Sequence, residues 1–124
     1  MLLKKFIQNN IGRKIDFDGT YGAQCVDLYR AYCRDVLEIP QTPSVEGAKD
    51  IWKEHGVLKQ CQVLGPGDIL IYEATASNKY GHVCILVSII DTDTYVVFEQ
   101  DGLKQDGAKL AIRGRLGLLG GLYK

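Results

Sequence analysis

No apolar run in this chain approaches the roughly 20 residues that a membrane-spanning helix needs, which argues against membrane insertion. There is no excess of charge of either sign: 15 basic and 15 acidic residues give a formal net charge of zero. Nucleic acid is therefore not expected as a main partner, because phosphate binding favours a basic surplus. The N-terminus, MLLKKFIQNN, is too short and too charged for a signal-peptide core. No C-x-x-C pair or close Cys/His cluster appears, which argues against zinc. The four cysteines, Cys25, Cys33, Cys61 and Cys84, show no spacing of a disulfide framework. A chain of 124 residues buries a core without such staples, so free thiols are expected. Repeats, linkers and low-complexity tracts are missing too, and residues 1–124 read as one domain. Histidine is scarce: imidazole chemistry falls to His55 or His82.

What is present is ordinary soluble-domain material, 46% hydrophobic and 24% charged. Leu3, Phe6, Ile7 and Asn10 repeat at helical spacing and predict a short N-terminal helix ending near Gly12. A second, unbroken stripe runs through Cys25, Leu28, Tyr29, Tyr32, Cys33, Val36 and Leu37, and stops before Pro40 and Pro43. Ser44 is the expected N-cap of a third helix carrying Ala48, Ile51, Trp52 and His55, with Gly56 as its stop. His55 reads as a capping or surface residue. The pattern then changes to strands: Val63-Leu64 leads into the turn Gly65–Asp68, followed by strands over 69–72, 81–90, 95–100, 109–112 and 118–123. Helices first and a meandering antiparallel sheet after predict an α+β domain, with N-terminal helices packed on the sheet.

The stretch Asp16–Asp27, DFDGTYGAQCVD, carries two candidate chemistries. Cys25 heads the second helix, and amide dipoles at a helix start favour a thiolate nucleophile; the plain alternative is a small buried hydrophobe. A catalytic thiol needs a base, and the base an orienter. His82 opens the long strand. A hairpin closed by an even-numbered loop near Asp91–Thr94 places His82, Glu99 and Asp101 on one sheet face, with Gln100 pointing away. The alternative makes His82 a structural strand-end residue and Glu99 a solvated edge charge. Separately, Asp16, Asp18, Thr20, Gly22 and Asp27 fall on positions 1, 3, 5, 7 and 12 of an EF-hand-like calcium loop. Tyr21 stands where Gly is usual and Asp27 where a Glu is usual, and an Asx-type turn capping the helix is the other reading.

These residues also carry a resemblance. YGAQCVDL around Cys25, GPGDIL at Gly65–Leu70, GHV at Gly81–Val83 and FEQD at Phe98–Asp101 resemble the CHAP domain, the cysteine- and histidine-dependent amidohydrolase/peptidase family, in order and separation over nearly the whole chain. The resemblance implies a papain-like fold and an endolysin-type peptidoglycan hydrolase. It makes Cys25 the nucleophile, His82 the base and Glu99 the orienter. Asp101 stands where many relatives have Asn, and Gln24 is a candidate contributor to the oxyanion site. It further implies Ca2+ in the loop before the cysteine and a monomer acting on the bacterial wall after release from the cytoplasm that makes it. Such lysins often carry a wall-binding domain, which would lie outside this chain. Another Cys-His amidohydrolase or acyltransferase, or a non-catalytic wall-binding module on the same fold, are the competing expectations.

Overall fold

The computed structural model describes residues 1–19 and 22–124. Helix α1 covers Leu3–Asn10 and α2 covers Cys25–Tyr32. The predicted stripe does continue to Leu37, but as a single π-helical turn, Cys33–Leu37, closed by Glu38 in the left-handed region. The third helix is shorter than expected. It is a 3-10 segment, Ala48–Trp52, capped by Gly47 and Asp50 rather than Ser44, because the Asp50 carboxylate accepts the Gly47 N–H at 3.1 Å.

Six strands follow: β1 Lys59–Cys61, β2 Ile69–Tyr72, β3 His82–Asp91, β4 Thr94–Glu99, β5 Lys109–Gly114 and β6 Leu118–Tyr123. The sheet is antiparallel throughout in the order β1-β6-β2-β3-β4-β5. β2 to β5 form the expected meander, and β6 returns beside β2. β1 was not legible. Its residues Lys59 and Gln60 are exposed and polar, and the apolar pair Val63-Leu64 lies in the loop after it.

Alternation along β3 divides the sheet into two faces. Val83 and Ile85 pack with Phe6, Leu28, Tyr29, Tyr32, Ile69, Ile71 and Leu122 beneath the helices. Cys84 and Leu86 pack on the other face with Leu70, Tyr72, Tyr95 and Val97. Side chains of this size contribute about 1.5–3 kcal/mol each when fully buried. α2 thus lies on the first face by its predicted stripe, and its N-terminal tip comes to the start of β3. All four cysteines are free, as expected.

Candidate active site

The loop that delivers Cys25 is pinned at both ends by one side chain. Gln100, wholly buried, accepts the Ile15 N–H at 2.9 Å and donates to the Ile15 and Gln24 carbonyls at 2.7 and 2.8 Å. Gln105 adds a second clamp, accepting the Ala23 N–H at 2.9 Å and donating to the Ala23 carbonyl at 3.0 Å. Gln100 does point away from His82, as strand parity requires, but toward this loop rather than toward water. Cys25 is then the first residue of α2, with Gln24 as N-cap, and its half-buried thiol lines a groove of about 840 Å³ together with Gln24, His82, Tyr80 and Asp101.

His82 sits at the mouth of β3, where Gly81 precedes it at a φ of 73°. A Cβ on Gly81 would run into the Tyr72 carbonyl and the Lys49 side chain, so glycine is required by both conformation and space. His82 Nε2 lies 3.0 Å from Glu99 Oε1. The Cys25 thiol is the imidazole's other partner and acts to raise it. The side chains of His82 and Glu99 are only 12% and 4% exposed, so their interaction is little screened. Burial pulls the imidazole down, but hydrogen bonds to Cys25 and Glu99 outweigh it and raise His82 to about 9. Burial likewise pushes Glu99 up, and hydrogen bonds from His82 and Arg113 overcome this and hold it at about 2.

Glu99 and His82 share a face as parity predicted, although the hairpin is not regular. The register slips at Leu86/Ser88 and again at Ile89/Asp91, with Asp91 opposite Thr94. Two one-residue slips restore the original parity. Near the site Ile85 opposes Phe98, which sets Cys84 opposite Glu99 and makes His82 a diagonal neighbour that the longer Glu side chain can reach. Asp101 is not a strand residue. Its carboxylate accepts the Leu103 and Lys104 N–H groups at 2.8 and 3.4 Å, closing a turn at the groove's edge. The sequence reading missed Arg113, whose guanidinium donates to both oxygens of Glu99 at 2.5 and 2.9 Å. His55 does not sit in the last turn of the third helix, which ends at Trp52; its Nδ1 lies 2.7 Å from the Leu58 carbonyl in the turn that follows.

Two groups of ligand-type side chains cluster among the described residues. His82, Cys84 and Glu99 form one, but the Arg113 guanidinium already occupies the carboxylate there. Asp16, Asp18 and Asp27 form the other, with oxygens within 4.8 Å of one another. Asp27 accepts the Gln24 N–H at 2.9 Å and the Phe17 N–H at 3.2 Å, so it also performs the capping role that was the alternative reading. A carboxylate oxygen keeps a further lone pair after one such bond, so capping and cation binding are compatible. Burial raises Asp27, the two N–H groups oppose this, and the charges of Asp18 and Asp16 raise it further. A hard cation suits this set of oxygens. Gly22 lies on the same loop at a φ of 72°, while Thr20 lies outside the described residues.

A thiol at a helix tip, an imidazole and a buried carboxylate are the arrangement of a cysteine–histidine site on an α+β fold. The CHAP domain family model matches residues 15–101, and the chain belongs to that family. The D-alanyl-L-alanine endopeptidase of Streptococcus phage B30 is 34% identical over 85 residues, which cover 62% of this chain and 19% of that protein. Among solved structures, the endolysin LysIME-EF1 superposes with a TM-score of 0.71 at 19% identity over 96% of this chain and 61% of its own. Ly7917, crystallised with the hydrolyzing product of MDP, superposes with a TM-score of 0.69 at 20% identity, over 94% of this chain and 59% of its own. These structural likenesses show the fold. The chain spans less than two thirds of the length of each of these relatives.

Proposed function

We propose that this chain hydrolyses an amide bond of bacterial peptidoglycan, in the stem peptide or its cross-bridge, through a Cys25–His82–Glu99 thiol mechanism. The observation that carries the reading is Cys25 and His82 lining one open groove, with Glu99 hydrogen-bonded behind the imidazole. Membership of the CHAP family and the likeness to a phage endopeptidase support the substrate class.

The Cys25 thiolate attacks the amide carbonyl carbon, forming a C–S bond and a tetrahedral oxyanion. Helix N-terminal N–H groups have no intrahelical acceptor, so that of Cys25 is available to the oxyanion, with Gln24 beside it. The His82 imidazolium gives its proton to the amine as the C–N bond breaks. His82, now neutral, takes a proton from water as the water attacks the thioester, and the carboxylate product leaves with the thiolate restored. Glu99 fixes the ring and opposes its charge throughout. Asp101 shapes the groove through its turn.

We further infer that Asp16, Asp18 and Asp27, with Gly22 and Thr20 of the same loop, hold Ca2+. A bound cation would relieve carboxylate repulsion and order the segment leading into Cys25. Action on the wall after release, and a wall-binding domain outside this chain, belong to the same reading.

Digestion of purified peptidoglycan followed by mass spectrometry tests the activity. A new terminus in the stem or bridge, N-terminal Ala included, with the stem still joined to the glycan indicates an endopeptidase, and release of the whole stem from the glycan at its N-terminal Ala an amidase. No new terminus, with a folded protein and calcium present, overturns the reading. Wall association that survives Cys25→Ala, without lysis by the parent, would favour the binding-module alternative.

A further inference from the structure

Arg113 lies on β5, beyond the residues 15–101 that the family model matches. It grips Glu99 as a fork, Nε on Oε1 and Nη2 on Oε2, while Oε1 also meets His82 Nε2. Its guanidinium stands 5.9 Å from the Tyr72 ring centroid, and the Tyr72 hydroxyl donates to the Gly114 carbonyl at 2.8 Å, next to Arg113 in the chain. Arg113 is one-third exposed where Glu99 is almost wholly buried, and it lines a second arm of the groove, of about 460 Å³, that also passes His82.

We propose that Arg113 is a positioning residue for the reaction, fixing the Glu99 carboxylate against His82 through the whole cycle. The physical need is clear from the cycle itself. When His82 has given up its proton, a buried Glu99 facing only a neutral ring would be an uncompensated charge, which is costly. It would rotate away or take a proton, and either change would disarm the next step. A bidentate guanidinium holds both oxygens and stays charged across the working pH range. Lysine cannot reproduce the fork.

The role rests on Cys25 and His82 being the reacting pair. His82 is faced by Cys25 of α2, Tyr72 of β2, Cys84 on its own strand, Glu99 of β4, Arg113 of β5 and, across the groove, Asp101. Of these, Arg113 carries the positive charge that opposes the imidazolium. The test compares Arg113→Gln and Arg113→Lys with the parent. Turnover on purified peptidoglycan is measured per folded molecule, and the His82 titration is followed by NMR with His55 as internal reference. We expect Arg113→Gln to lose about tenfold to a hundredfold in kcat with KM nearly unchanged, the scale seen when groups orienting a functional side chain are removed. Its His82 titration should move upward. Arg113→Lys should restore the titration but only part of kcat. Parental kcat in folded Arg113→Gln overturns the proposal, as does a lower kcat with an unmoved titration, which would make the contact merely structural. Should Arg113→Gln not fold, Arg113→Lys decides alone: full parental kcat overturns the role. Lysis by a Cys25→Ala protein would instead remove the reacting pair, and so is distinguishable from a failure of Arg113.

Discussion

Two acidic sites flank Cys25, and they solve opposite problems. On the sheet, Glu99 is buried among its own counter-charges, His82 and Arg113, and is held low at about 2. In the loop, Asp27 is buried beside two more carboxylates, Asp16 and Asp18, and is pushed up. The sheet site carries compensation within the fold, so its geometry is fixed once the strands pair. The loop concentrates like charge, so it carries a repulsion among carboxylates that a bound cation would relieve. A residue whose charge must persist through catalysis belongs in the first setting; a structural response to a solute belongs in the second.

The sharpest way to break the contrast is at the thiol both sites serve. Cys25→Ser should lower lysis by about a thousandfold or more while leaving the melting temperature close to the parent's, since it removes the nucleophile and almost no volume. Lysis within tenfold of the parent would remove Cys25 from the reaction. Glu99→Gln comes next, at about a hundredfold, because the ring loses its charged acceptor and the Arg113 guanidinium is left facing a neutral amide. Asp101→Asn, measured alongside it, should be near neutral, since an amide oxygen can accept the same two N–H groups. The reverse ranking would move the orienting role to Asp101.

The pH dependence follows in size. The native state raises His82 from 6.5 to about 9, so the folded protein binds that proton more tightly than the unfolded chain. The stability this supplies is complete below pH 6.5 and is lost as pH rises through about 9. Lysis and melting temperature should therefore decline together across that interval. In Glu99→Gln the decline in melting temperature should still begin near pH 6.5 but be smaller and end at lower pH, because only the folded value of His82 falls. A flat melting profile up to pH 10, roughly one unit beyond the native value, would contradict the ion pair.

The smallest expected effect is in the loop. Calcium should raise the melting temperature and bind weakly, with a dissociation constant of about 10⁻⁴–10⁻³ M as in extracellular modules, and more tightly than magnesium. Asp18→Ala should abolish the heat of binding in calorimetry while leaving the thiol in place. Titration of the parent showing no binding at millimolar calcium would reduce the loop to the capping turn that Asp27 already makes.

Helix α1, the head of α2 and the β2–β5 meander were fixed by local pattern. Cys25 starts a stripe at helical spacing, and Gly81-His82 opens a run with strand periodicity. Even the shared face of His82 and Glu99 followed from parity, because two register slips in one hairpin cancel. What local pattern could not supply was which long side chains meet across strands and loops. Register on β5 sets Lys109, not Arg113, opposite Glu99, yet Lys109 pairs with Asp106 and Arg113 reaches the carboxylate from four residues farther along. Parity sends Gln100 away from the site, and only the packed fold shows it holding both ends of the loop that carries Cys25. Spacing along the chain dictates the face a side chain takes, since that depends on backbone geometry alone. The partner it finds depends on sheet twist, loop closure and side-chain reach, which exist only once distant segments have packed.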